Sequence, residues 1–226
     1  MSESGRRRAV VNFVTVVAGI LAAFALDAGW ETLQAAREEG RILEVLEEEF
    51  RANRAAAEDP LRRHAEYVDW SETFLSEVAA SPARISADSL TTLLSRVAFG
   101  WTSYNPATGT TQALLTGGQI ARLGDFELQR LLAGWPGSLA DLAESESRTI
   151  LTYDELSGFL SLESPVFFAL ERLDPSSVDA AVARDPRVAG LVLRRSIEEG
   201  EALSDTERVV RDIEAILARL SRLRER

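Results

Sequence analysis

The side chains able to do chemistry are few in kind. His64 is the only histidine among 226 residues, cysteine is absent, and all 25 basic residues are arginine. Without cysteine there are no disulfides, thiolate metal sites, cysteine nucleophiles or iron–sulfur ligands, and a single histidine does not make the common zinc sets. A glutamate three residues before His64 would give the Glu-x-x-His pattern of di-iron helical bundles, but Leu61 stands there. Ser-x-x-Lys chemistry needs a lysine, and no Gly-x-Ser-x-Gly elbow is present. Gly117-Gly118-Gln119 lacks the lysine and glycine context of a phosphate loop and reads as a helix terminus. His64, on a helix with Tyr67 and Val68, reads as a structural or surface residue, and the glutamate runs read as solvated helix faces. The expectation is therefore a non-enzyme with no catalytic, cofactor-binding or metal-binding residues.

Aromatic residues offer a different kind of site. Trp101 and Tyr104 lie in 99–109, the one prolonged segment without helical pattern, together with Asn105-Pro106 and Gly109. Aromatics concentrate at the centres of protein interfaces, so this pair is the candidate protein contact. The alternative is that Trp101 plugs the core beneath a loop.

The elements that would carry these residues are helices. Residues 31–57 hold no proline and place Leu43, Leu46, Phe50 and Asn53 at heptad-like spacing. Asp59-Pro60 reads as an N-cap followed by proline at the first helical position, opening a helix over 60–80. Further helices are expected near 88–97, 110–117, 125–134 and 138–162, with a short one between Ser164-Pro165 and Asp174-Pro175. Asp185-Pro186 opens the C-terminal segment, where Ser204-x-x-Glu207 matches a capping box that would restart the helix after Gly200. Val209, Val210, Ile213, Ile216, Leu217, Leu220 and Leu223 then form an apolar stripe. No alternating pattern long enough for a sheet occurs, so the class is all-α.

The N-terminus sets the location. Ala9–Leu26 is 18 residues without a charge, about 27 Å of helix against a hydrocarbon core of about 30 Å. Arg6, Arg7 and Arg8 precede it; Asp27, Trp30 and Glu31 follow. The positive-inside rule then keeps the N-terminus in the cytoplasm and exports the rest. A cleaved signal peptide, ending at Ala23-Phe24-Ala25, and a buried helix of a soluble core are the rival readings. Within the run, Ala18/Ala22 and Gly19/Ala23 put small residues at i, i+4 spacing, a face on which another transmembrane helix can pack closely. Trp30 is the interfacial anchor. The net charge of −11 divides into +2 over residues 1–8, zero over 9–26 and −13 over 27–226. An acidic head excludes the phosphate-neutralising surface of a nucleic-acid binder and favours basic partners.

Gly19-Ile20-Leu21-Ala22, then Trp30-Glu31, then a charged helix with Leu43, Glu44 and Leu46, resembles a bacterial family of uncharacterised single-pass membrane proteins known as a domain of unknown function. Asn105-Pro106 through Thr111, Leu114-Leu115 and Gly118, followed by Leu128 and Leu131-Leu132, is similar to a second segment of that family. Asp27-Ala28-Gly29 stands where the family carries asparagines. The resemblance implies architecture only.

The expected organisation is a cytoplasmic tail (1–8), a transmembrane helix (9–26), a stalk helix (27–58) and an acidic helical-bundle domain (59–226). The expected protein is a single-pass component of a bacterial inner membrane with a periplasmic C-terminal domain, an accessory or stabilising subunit of a larger complex, whether photosynthetic, respiratory or transport. Its partners would be membrane proteins and the bilayer. The alternative is a self-associating scaffold or sensor, a homo-oligomer in which the stalk and the 205–224 stripe form coiled coils.

Overall fold

Fifty-four residues without proline, Glu3–Ala56, form one unbroken helix, α1, in the computed structural model, which describes residues 3–80, 84–163 and 180–225. Among the described residues the helices run in the order α1, α2 (Glu58–Ala79), α3 (Ala87–Ala98), α4 (Gly109–Thr116), α5 (Phe126–Glu163), α6 (Ala180–Ala183) and α7 (Pro186–Arg224), with a 3₁₀ turn at Gln119–Arg122. The described residues contain no strand, so the chain is all-α there. The helix expected between Ser164 and Pro175 lies outside the described residues.

Two compact units divide the chain, Met1–Glu47 and Glu48–Arg226. The first is a single helix on which Phe13, Ile20, Leu21, Phe24, Leu26 and Trp30 are exposed. No helix is long and apolar enough to cross a membrane among the described residues, and the expected span over 9–26 falls largely on side chains outside them.

In the second unit the helices are long because their buried faces are long. Buried positions of α7 at Val188, Val192, Arg195, Glu199, Ala202, Thr206, Val209, Ile213, Ile216 and Leu220 alternate steps of four and three, with Val210 buried beside them. Helix α5 keeps the same seven-residue period with Leu128, Leu132, Trp135, Leu142, Glu146, Thr149, Leu156 and Leu160, in steps of four, three or seven, and buries Ser145, Thr152 and Ser157 beside them. A heptad seam of this kind packs helices side by side at a small crossing angle. Polar pairs along the seam give the direction: Ser138–Asp212 at 2.6 Å, Arg148–Glu201 at 2.6 Å and Glu155–Arg194 at 2.6 Å descend one helix while climbing the other. The two are antiparallel, and α2 packs along α7 with Pro60, His64, Tyr67, Ser71 and Phe74 turned inward.

Three sequence-derived boundaries shift under this packing. Pro136 does not divide the 125–162 region: α5 runs through it, although an interior proline costs about 3 kcal/mol. The offset is available because Leu132, Trp135 and Leu142 on either side are all buried, each worth about 1.5–3 kcal/mol. Likewise α7 runs through Gly200 and Ser204, with Ala202 and Thr206 buried and the Thr206 hydroxyl donating to the Ala202 carbonyl. At the start of α2 the turn is made at Ala57, not Asp59; Asp59 sits in the first turn and pairs with Arg62. Asp185, which the sequence gives as opening the last segment, caps α7 by accepting from the Arg187 N–H at 2.7 Å; Ser86 accepts from the Ser89 N–H at 3.1 Å and Asp125 from Leu128 at 2.8 Å in the same way.

One apolar core gathers Phe74, Leu90, Leu94, Val97, Leu156, Leu160, Val188 and Val192 at the end capped by α3. Toward the opposite end Phe50 meets Trp135 edge to face, ring centroids 5.2 Å apart. Between these ends the seam turns polar.

Candidate functional site

The polar layer is built from three helices. His64 comes from α2, Glu146 from α5, and Arg195 with Glu199 from successive turns of α7; none is more than 5% exposed. His64 Nδ1 lies 2.6 Å from Glu199 Oε2, and its Nε2 faces Glu146 Oε1 at 3.8 Å, beyond hydrogen-bond distance. Arg195 Nη2 is 3.2 Å from Glu199 Oε1 and donates to the Gly100 carbonyl at 2.7 Å. Its guanidinium carbon sits 4.8 Å from the Tyr67 ring centre and 5.7 Å from that of Tyr153, so aromatic faces take up part of what its other N–H groups lack. His64 Nε2, Glu199 Oε1 and Arg195 Nε and Nη1 have no hydrogen-bond partner.

Burial and charge pull against each other here. Burial alone would lower His64, but Glu146 and Glu199 outweigh it and hold the imidazole above the ordinary histidine value. Arg195 is lowered by burial, against the opposing pull of Glu199. A buried charge is tolerated only when paired. With both carboxylates ionised and Arg195 charged, the set closes to zero only when His64 carries its proton. The chemistry on offer is the holding and release of one proton.

The layer also fixes the non-helical segment 99–108. Arg195 holds Gly100 as above, and the Tyr104 N–H donates to Glu146 Oε1 at 2.7 Å. Asn53 on α1 exchanges two hydrogen bonds with Ala107, 2.7 and 2.8 Å, and accepts the Tyr104 hydroxyl on its carbonyl at 3.1 Å. Glu49 receives the Thr110 and Thr111 N–H groups and the Thr111 hydroxyl, supplying from α1 the N-terminal cap that Thr108 does not give α4. Two grooves that share Thr108 and Leu139 run along α5, the first against α4 and the second against this segment. One, about 370 Å³, is lined by Thr111, Leu115, Trp135 and Pro136; the other, about 290 Å³, by Tyr104, Pro106, Leu142 and Glu146.

The chain matches no family model, no curated protein and no solved structure.

The expected site residues fall as follows. Trp101 points outward, 53% exposed, while Tyr104 is buried with its hydroxyl and N–H both engaged. The pair therefore separates: Tyr104 fastens the segment to the head, burial raises its phenol above the ordinary value, and only Trp101 is free for an outside contact. Trp30, Gly19 and Ala23 lie on exposed positions of α1, and a Cβ at Gly19 would meet nothing within 4 Å. The side chains of Ala18 and Ala22 lie outside the described residues. Of the C-terminal stripe, Val209, Ile213, Ile216 and Leu220 are fully buried inside the head, and Leu217 and Leu223 are partly buried. His64 is neither solitary nor on the surface. Glu146, Arg195 and Glu199 escaped sequence reasoning because charged residues break an apolar stripe; the surviving signal is that all three fall in step with the four–three spacing of α5 and α7. Among the described residues no group of three or more His, Asp or Glu is placed to hold a metal ion.

Proposed function

We propose that the chain is a non-enzymatic, single-pass inner-membrane protein whose acidic helical head projects into the periplasm and serves a larger membrane complex as an accessory or stabilising subunit. The observation that supports this reading best is the uncharged run Ala9–Leu26 on an uninterrupted helix, with Phe13, Ile20, Leu21 and Phe24 exposed. Large apolar side chains exposed in sequence along a helix cost free energy in water and gain it in hydrocarbon. The preceding arginine triplet supports a cytoplasmic N-terminus, and the small residues Ala18, Gly19, Ala22 and Ala23 support close packing with a partner helix. The likeness to the single-pass family points the same way. Trp101, exposed on the head, is the contact residue favoured for a protein partner. The buried C-terminal stripe disfavours the self-associating scaffold, whose coiled coil drew on it.

Fractionation of expressing cells, followed by carbonate washing and mild-detergent purification with native gels and mass spectrometry, tests the reading. The expected result is retention in the washed membrane and co-purification with other membrane proteins. Release by carbonate, or migration as a lone monomer at every detergent concentration, would overturn it. Cysteines introduced at Ser2 and Ser221 decide orientation, because only an exported site labels from outside intact inner membranes.

A further inference from the structure

We propose that His64, Glu146, Glu199 and Arg195 form a proton-operated latch, which holds segment 99–108 against the head while His64 is protonated and releases it when the proton leaves. The inference stands on where the segment's tethers end. Two of them, Gly100 O to Arg195 Nη2 at 2.7 Å and Tyr104 N–H to Glu146 Oε1 at 2.7 Å, terminate on groups whose charges must balance with His64. The third, through Asn53, is neutral.

Loss of the proton acts on a definite atom. A neutral imidazole keeps one N–H, and the 2.6 Å approach of Nδ1 to Glu199 Oε2 holds that hydrogen there. The Nε2 lone pair then faces Glu146 Oε1 at 3.8 Å, negative against negative, in a layer 5% exposed or less. That oxygen is the acceptor of the Tyr104 N–H, so the repulsion bears on the tether itself. The uncompensated carboxylate is also costly to keep buried, which favours any opening that admits water. Glu146 lines the groove of about 290 Å³ whose outer wall is Tyr104, Asn105, Pro106 and Thr108; release of that wall would hydrate it.

The ionisable groups facing the imidazole from its neighbours are Glu146 on α5 and Glu199 on α7, with Arg195 joined to it through Glu199 and flanked by Tyr67 of α2 and Tyr153 of α5. Burial lowers the ring's proton affinity, but both carboxylates favour the protonated ring and outweigh it, so the transition is shifted upward from the ordinary histidine value. The latch is closed at low pH and opens as pH rises through the folded value of His64. Each unit by which that value exceeds the open-state one changes the latch equilibrium about tenfold.

The full chain in detergent micelles allows a direct test, since a single histidine gives one unambiguous ring resonance. Proton NMR follows its titration, and hydrogen-exchange protection factors, corrected for the intrinsic pH dependence, are read for 99–108 and for 206–220 of α7 between pH 5 and 9. The expected result is a titration above ordinary histidine, a fall of about tenfold or more in protection of 99–108 across it, and higher protection of 206–220 throughout. Glu146→Gln, which can accept from Tyr104 without charge, should flatten the pH dependence; His64→Gln should abolish it. If His64→Gln fails to fold, the wild type and Glu146→Gln decide alone. A titration at or below the ordinary value, unchanged protection of 99–108, or identical protection of the two regions would overturn the latch.

Discussion

Replacing Arg195 by methionine removes the permanent cation buried beside Glu199 while nearly keeping the volume. Three losses overlap. Glu199, 1% exposed, loses its permanent counter-charge, and breaking a buried pair from one side costs about 3–5 kcal/mol. The Gly100 carbonyl loses its 2.7 Å donor, worth about 1–3 kcal/mol if the group stays dry. The guanidinium contacts with the Tyr67 and Tyr153 rings disappear as well. Because the same guanidinium makes all of these, they do not add, and the expected total is about 3–5 kcal/mol. With a urea slope of about 2 kcal/mol/M, the unfolding midpoint should fall by about 2 M. The informative companion is Arg195→Met with Glu199→Leu, which removes both charges and leaves His64 paired with Glu146. It should recover to within about 2 kcal/mol of the parent, because a buried pair exchanged for apolar groups is often near neutral. Equilibrium urea unfolding of the full chain in micelles, followed by circular dichroism, measures both. A single-variant cost under about 1 kcal/mol, or a double variant as weak as the two singles summed, would refute the account of a charge-balanced layer.

Global stability should also fall with rising pH. The folded value of His64 is raised, so its contribution is fully present below the unfolded value near 6.5 and is lost as pH climbs through the folded one; urea midpoints at pH 6 and 9 should show the fall, and His64→Gln should erase that part of it. Gly100→Ala should destabilise by about 1–3 kcal/mol, because Gly100 sits at φ +104° and the new Cβ would lie 2.5 Å from Tyr67 Oη. Adding Tyr67→Phe should relieve the contact and leave the backbone strain, which thermal melts of the single and double variants would separate. Glu49→Ala should cost about 1–2 kcal/mol by uncapping α4, with hydrogen exchange accelerated at Thr110 and Thr111 first; an effect spread evenly over the head would contradict the capping role.

The sequence alone determined the helical class and part of the inward face of α1, α2 and the C-terminal half of α7, because the period of apolar residues is a local property of the chain. The stripe from Val209 to Leu220, the inward Phe50 and Asn53, the Ser-, Asp- and Gly-rich breaks and the cap at Asp185 were all legible in this way. What it misread were questions of which effect wins. Pro136, Gly200 and the Ser204–Glu207 match are real helix-weakening or helix-starting signals, and each was overridden by buried side chains on both sides. Local propensity costs about 1 kcal/mol at a glycine and about 3 kcal/mol at a proline, less than a shared seam offers. Tyr104 and Trp101 looked alike as loop aromatics, and only the approach of Asn53 and Glu146 turned one inward. The polar layer was the least legible part. His64, Glu146, Arg195 and Glu199 are spread over 135 residues of separation, and their burial depends on three helices meeting at one level. Charge composition says that acids abound; only tertiary packing decides which of them lose their water and which lie against the single histidine.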